Sequence, residues 1–438
     1  MTIKQYVNLP NAAADHHGAS INLAVNADEL AEEGVAYTEW WVESTGADNV
    51  DLKYLSTTKR ARMRYATRHH SGTRFRNTFL LPHVGGDKYQ VKCSKRGDRS
   101  APTELEEIET WRKIYYTVHW MNANCQNTFN AVKGRFKAAF EESFIELEEA
   151  ASNQTLVDEP NTVSSNALTH LYRRRPALTN KPWHLRIVVL NDIYEIEESE
   201  HLAEDYNSAT GQWTTGRPLS DQTATHWLIS AKARVHGGGS WINIRSMVTK
   251  DDDTHFSFDV TGNRTLNNAI NGGGSIDLKV RTRERDHYLG HSIGNFVCVR
   301  TNETGTAAEI EQTILQTFTH EVGHGFQQTV RRERTHNAAG NATGWEANAD
   351  WHTDDYGGQG PHCRHDADEV DAALDGDGNP TTTSGRTFES NGSTLCTMFF
   401  RDDDDVDVDG KFCASCLPRL KRVSLSRAKM RGQGWNDY

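Results

Sequence analysis

Long apolar runs are missing from this chain. Across 438 residues no stretch approaches the roughly 18 consecutive apolar residues of a membrane-spanning helix, and mean hydropathy is only -0.71. The opening "MTIKQYVNLPNAAADHH" has no continuous apolar segment of the signal-peptide kind. The expectation is synthesis in the cytoplasm, with any export by a route that needs no conventional signal. A basic excess is also absent: 48 Lys and Arg face 60 Asp and Glu, a formal net charge of -12. A phosphate-binding surface releases counterions through clustered Lys and Arg, and the short runs "RRER" from Arg331 and "YRRRP" from Tyr172 read as solvated faces. No nucleic-acid partner is expected. A dense, even-numbered cysteine framework is lacking too, since Cys93, Cys125 and Cys298 are scattered while Cys363, Cys396, Cys413 and Cys416 crowd the last quarter. That distribution excludes a disulfide scaffold and points to metal-binding thiols in a reducing compartment.

What remains is a globular composition, with 11 Trp, 15 Phe and 13 Tyr to anchor one large domain or two. Residues 1–118 carry short aromatic and β-branched runs, "INLAVN", "AYTEWWVEST", "ARMRYATRHH", "NTFLLPHVGGDKYQVKCS" and "WRKIYYTVHWM", punctuated by Gly, Asn and Asp. They predict a β-rich domain resembling an immunoglobulin-type sandwich. From Phe129 the pattern changes: Val132, Phe136, Phe140, Phe144 and Leu147 follow three-and-four spacing on one helical face, which reads as core packing and sets a domain boundary near residue 119. Farther on, "PWHLRIVVLND", "SWINIRSMV", "SIDLKV" and "GNFVCVR" predict strands separated by loops such as "RVHGGGS" and "NAINGGGS". The fold class expected is α+β, a sandwich-like domain followed by an α+β domain over 119–438.

A helix is predicted over "TGTAAEIEQTILQTFTHEVGHGFQQTV", with Thr at its cap and Glu309 and Glu311 in its early turns. Late in it stand His320, Glu321 and His324. Residues four apart share a helical face, so both imidazoles can address one cation with the carboxylate alongside. That set suits hydrolysis by zinc-activated water, with Glu321 as general base. The extended pattern with Gly and His at the seventh and tenth places after the first ligand is absent, because Gln327 and Val330 stand there.

A third ligand therefore lies downstream. "GWEANAD" offers Glu346, with Asp350 in a pattern that resembles the segment where thermolysin-like gluzincins supply a glutamate; "GGQGPHC" offers His362, and His336, His352 and His365 are further candidates. Tyr356 or His352 could polarise a substrate carbonyl. The acidic strings "LDGDGNP" at 374–380 and "RDDDDVDVDG" at 401–410 could bind calcium, although neither keeps EF-hand spacing and a solvated acidic loop is the plainer reading.

The order "PHC", "LCTMF", "FCASC" resembles the archaemetzincin family. The resemblance implies His320, His324 and His362 on a catalytic zinc with Glu321 as base; Cys363, Cys396, Cys413 and Cys416 on a structural zinc; and Met398 in the turn beneath the catalytic metal. It covers about the last 130 residues and departs in spacing, with more than thirty residues between His324 and His362 and again between Cys363 and Cys396. More loosely, "HEVGH" with "GGQGPHC" is similar to metallopeptidase domains of type VI and related contractile injection systems. The implied function is a zinc endopeptidase acting on a protein or peptide, its substrate aligned on an edge strand such as "GNFVCVR" and its N-terminal domain docked on an injection apparatus as a toxin effector. The alternatives are a zinc amidase acting on cell-wall peptides and a non-enzymatic, metal-stabilised component of a contractile assembly.

Overall fold

The structure is a computed structural model, and it describes residues 2–9, 19–26, 35–44, 62–65, 67–71, 74–82, 84–150, 154–155, 162–164, 184–202, 206–207, 212–214, 227–252, 254–293, 295–301, 305–326, 332–336, 342–347, 351–353, 361–363, 367–371, 386–390, 396–398, 410–414 and 416–422. It is mixed α and β with strands predominating. No helix among these residues is long and apolar enough to cross a membrane.

Among the described residues up to 120 the regular elements are strands: β1 Thr2–Tyr6, β2 Ser20–Asn26, β3 Val35–Ser44, β4 Arg62–Met63, β5 Thr67–Ser71, β6 Arg74–Leu80, β7 Lys88–Lys95 and β8 Thr103–Trp120. Period-two alternation explains them. In β6 the side chains of Phe75, Asn77 and Phe79 are buried between exposed Arg74 and Arg76. One core joins the small sheet β2-β6-β4 to the larger one: Val25, Phe75 and Phe79 meet Trp40, Tyr89, Val91, Cys93 and Ile108.

The 18-residue strand β8 is the spine of a ten-stranded sheet. Its first half pairs with β7 and β1. Its second half runs on through residue 118 and pairs in parallel with β12, His184–Leu190. Helix α1, Ala123–Glu141, follows β8 and returns to β9, Ile145–Glu149, again parallel to β8. Parallel neighbours require such a crossover. Asn122 caps α1 by accepting a bond from the Cys125 amide, and Phe129, Val132, Phe136 and Phe140 are buried on one face. The expected stripe stops there. Phe144 turns the chain at φ 56° and packs over Gly85 and Gly86, while Leu147 is buried on β9 instead of continuing a helix. The crossover ends the helix, because the chain must extend again to pair with β8.

Contacts divide the chain into two units at places other than residue 118. Residues 160–171 and 192–289 form one unit, inserted in sequence between strands of the other. The inserted unit holds β11 Thr162–Ser164, β13 Asp192–Leu202, β14 Tyr206–Asn207, β15 Gln212–Thr214, β16 Leu228–Val235, β17 Ile242–Asn243, β18 Val248–Lys250, β19 His255–Phe258, α2 Arg264–Asn271 and β20 Ile276–His287. Its core gathers Trp227, Ala231, Phe256, Leu266, Leu278 and Val280. "SWINIRSMV" is not the continuous strand expected: a 3-10 turn at Arg245–Met247 separates β17 from β18.

The larger unit resumes with β21 Gly290–Ile293, β22 Phe296–Arg300 and α3 Ala307–Gly325. Sheet order is β21-β22-β12-β8, so β22 in "GNFVCVR" is interior, hydrogen-bonded on both sides, and among the described residues the edge belongs to β21. This corrects the expected edge strand. The reason lies in the fully apolar burial of β22, Phe296 to Val299, which is the pattern of a covered strand. Thr306 and Glu309 form the expected capping box at the start of α3. Phe318 packs edge-on against Phe129, and Phe140 against Phe326 and Phe412, which fixes α3 on α1.

A short helix, α4 Cys416–Arg422, closes the described chain. Its last carbonyls would otherwise lack partners. Buried Arg112 donates through Nη2 to Leu420 O at 3.0 Å and to Ser143 O at 2.8 Å, and the Gly85 amide donates to Lys421 O. Burial, opposed by Asp87, pulls the guanidinium down to about 9, so it remains charged at neutral pH.

β1 is pinned to the sheet by Glu146 on β9, which accepts from Lys4, from Tyr6 at 2.5 Å and from Lys113 at 3.1 Å. Burial alone would raise this carboxyl; the three donors outweigh it and bring it from its ordinary 4.5 to about 2. A depressed carboxyl contributes stability that is present above the unfolded value and lost as pH falls toward the folded one. Glu146→Gln should therefore lower the unfolding midpoint at pH 7, with the gap to wild type closing between pH 4.5 and 2; unfolding curves across that range read it directly.

Candidate functional site

Helix α3 delivers three polar side chains to one place in an otherwise apolar setting. Glu321 and His324 are buried, and His320 is partly buried. The Nε2 atoms of His320 and His324 converge to 2.9 Å, one helical turn apart. The Nδ1 atom of His320 donates to the carbonyl of Thr397 at 2.7 Å. With Nδ1 carrying the proton, Nε2 presents a lone pair, the tautomer a metal ligand needs. Both rings are held neutral. Burial, partly opposed by the Thr397 carbonyl, brings His320 down to about 4. Burial, then the nearness of His320 and His291, takes His324 well below its usual value. Glu321 moves the other way: burial raises its carboxyl to about 8, opposed by a hydrogen bond with Ser292 on β21.

Beneath α3 runs the tripeptide Cys396–Thr397–Met398. Thr397 is fixed by three bonds: its amide donates to Lys411 O, its hydroxyl to Gln316 O, and its carbonyl receives His320. Met398 is fully buried and lies against Gly323, where a Cβ would overlap its sulfur. Glycine at 323, between the two histidines, is thus what lets methionine sit under the pair. The Met398 carbonyl accepts the Cys363 amide at 2.9 Å. That bond brings β26, Pro361–Cys363, to this turn.

Cys363, Cys396, Cys413 and Cys416 meet there, with all four sulfurs within 4.8 Å of one another and Cys363 Sγ 3.9 Å from Cys413 Sγ. A tetrahedral zinc with bonds of about 2.3 Å sets its sulfurs about 3.8 Å apart. Two amides donate to these sulfurs, Cys413 N to Cys396 and Cys416 N to Cys413, each at 3.4 Å. Contact with neighbouring thiols, more than burial, raises Cys363 and Cys416 far above the ordinary thiol value. Thiols this close could ionise together only with a cation among them, and an all-sulfur donor set of four fits a structural metal. The cluster could hold a metal ion. Cys93, Cys125 and Cys298 are buried thiols elsewhere.

The sequence places His362 on β26, opposite His352 of β25, Trp351–Thr353, in the antiparallel register. Glu346 lies on β24, Ala342–Ala347, opposite Glu333 of β23, Arg332–His336. The side chains of His362, Glu346, His336 and His352 fall outside the described residues. Asp350, Tyr356, His365 and the acidic strings at 374–380 and 401–409 lie wholly outside them. Two residues the sequence reading missed are Gly290 and Ser292. Nothing in a four-residue strand flanked by Gly and polar residues marks it in advance as the neighbour of Glu321.

No protein-family profile matches the chain, and no curated protein matches it. Among solved structures, a secreted serine protease, VesC from Vibrio cholerae, is 9% identical over 61% of this chain and 43% of that one, with a TM-score of 0.15. The chain spans 43% of that structure's length, and at this TM-score neither fold nor activity carries over.

Cobalt(II) titration of the metal-stripped protein should give thiolate-to-cobalt absorption at one equivalent. Cys413→Ser should abolish that band and lower the unfolding temperature. An undiminished band in the variant would remove Cys413 from the donor set.

Proposed function

We propose that the chain is a zinc endopeptidase of metzincin-like, archaemetzincin-type construction, in which His320 and His324 hold the catalytic metal and Glu321 transfers the proton. The observation that carries this reading is the convergence of the two Nε2 atoms at 2.9 Å, with the His320 tautomer set by Thr397. The donor set, neutral imidazoles on one helical face with the Thr397 carbonyl holding the far nitrogen of His320, fits zinc. His362 is the third ligand in this reading: the bond from its neighbour Cys363 to Met398 O ties β26 to the turn under the histidines. Glu346 has no such tie among the described residues.

Zinc bound there would polarise the scissile carbonyl and acidify a water molecule. Glu321 accepts that water's proton on its carboxylate and returns it to the departing amine nitrogen. β21 lies beside Glu321 and, among the described residues, is the last strand of its sheet. An extended peptide can add to such a strand through backbone hydrogen bonds, which favours a peptide substrate over a non-peptide amide. The four-cysteine cluster is then the structural zinc. Delivery as an injected effector belongs to the same reading.

Glu321→Ala should retain zinc and lower cleavage of an unfolded protein substrate by about 10²- to 10⁴-fold. His362→Ala should lose one zinc per chain and leave the cysteine-bound one. Wild-type cleavage by Glu321→Ala sinks the assignment; full metal content in His362→Ala moves the third ligand to Glu346. Parallel incubation with purified peptidoglycan separates the endopeptidase from a cell-wall amidase.

A further inference from the structure

A Cβ added to Gly290 would lie 2.6 Å from Cγ and 2.8 Å from Oε1 of Glu321, and 2.7 Å from Cγ2 of Thr317. Carbon contacts that short do not persist, so the edge strand approaches α3 more closely than any side chain at 290 would allow. The backbone of Gly290 is not left-handed. Its glycine is required by the close approach and not by conformation. Ser292 hydrogen-bonds the same carboxylate, its hydroxyl donating to it. Residues two apart on a strand share a face, so Gly290 and Ser292 both address the helix, while His291 between them is exposed.

We propose that Gly290 and Ser292 are positioning residues for Glu321, an inference that rests on Glu321 being the proton-transferring base. Glycine lets the strand close on the carboxylate, Thr317 walls it one helical turn back, and the Ser292 hydroxyl fixes its rotation. The consequence is specific to this arrangement. The strand proposed to align an extended peptide also seats the base, so substrate register and base position would be set by the same four residues.

The test uses the full chain loaded with zinc and compares Gly290→Ala, Ser292→Ala and Ser292→Thr, with zinc content and unfolding midpoint measured on each. Ser292→Ala should lower kcat about tenfold, the scale of one lost hydrogen bond to a charged group, with KM and zinc content near wild type. Ser292→Thr, which keeps the hydroxyl, should restore most of it. Gly290→Ala should lower kcat about 100-fold, as a displacement near 1 Å at a reacting group does. If Gly290→Ala fails to fold, the Ser292 pair decides. Wild-type kcat in Ser292→Ala, or a loss confined to KM, overturns the positioning role. Such a result leaves the base assignment standing as long as Glu321→Ala is inactive, so the two failures are distinguishable.

Discussion

The hydrogen bond from His320 to the carbonyl of Thr397 is the contact on which the site depends. One residue earlier, Cys396 contributes a sulfur to the four-cysteine cluster; one residue later, Met398 fills the space that Gly323 leaves under the helix. Three consecutive residues therefore touch the cysteine cluster, the first histidine and the floor beneath both histidines. A metal held among the sulfurs would fix Cys396 and, through one peptide unit, the carbonyl that accepts from His320. The Cys363 amide, bonded to Met398 O, adds a second link, so the strand carrying His362 hangs from the same turn. A chain with long intervening segments can in this way assemble a compact centre.

The rest of the larger unit supplies rigidity to that tripeptide's surroundings. Helix α3 cannot slide, because Phe318 and Phe326 are locked into the phenylalanines of α1, and each buried Phe contributes about 2–3 kcal/mol. Helix α4, which begins at Cys416, is anchored at its far end by the buried guanidinium of Arg112 on β8. One strand thus supports both the sheet beneath α3 and the helix that carries the last sulfur. Removing Arg112 would take from the Leu420 and Ser143 carbonyls the donor they share, a cost out of proportion to one surface charge.

The helix and the placing of its two histidines on one face were legible in the sequence because their signals are local: a capping box, three-and-four apolar spacing, and His at four-residue separation. The cysteine cluster was legible through its order, since four thiols in a quarter of the chain have few other uses. The inserted unit was not legible. Its strands alternate as any strands do, and nothing in "VVLND" says that the next sheet partner of β12 lies beyond residue 290. The edge strand was misassigned for a related reason: "GNFVCVR" has the stronger β pattern, but strong, continuous apolarity marks a covered strand, and the edge is the polar "GHSI". The end of α1 was missed because Leu147 keeps helical spacing by coincidence while Phe144 turns the chain.

Zinc K-edge X-ray absorption on the fully loaded chain tests the central claim most directly. Two centres joined by Cys396–Thr397–Met398 predict two zinc per chain and a mixed first shell, with sulfur at about 2.3 Å and nitrogen or oxygen at about 2.0 Å in comparable numbers. A shell of sulfur alone, with one zinc per chain, would contradict a metal centre at His320 and His324.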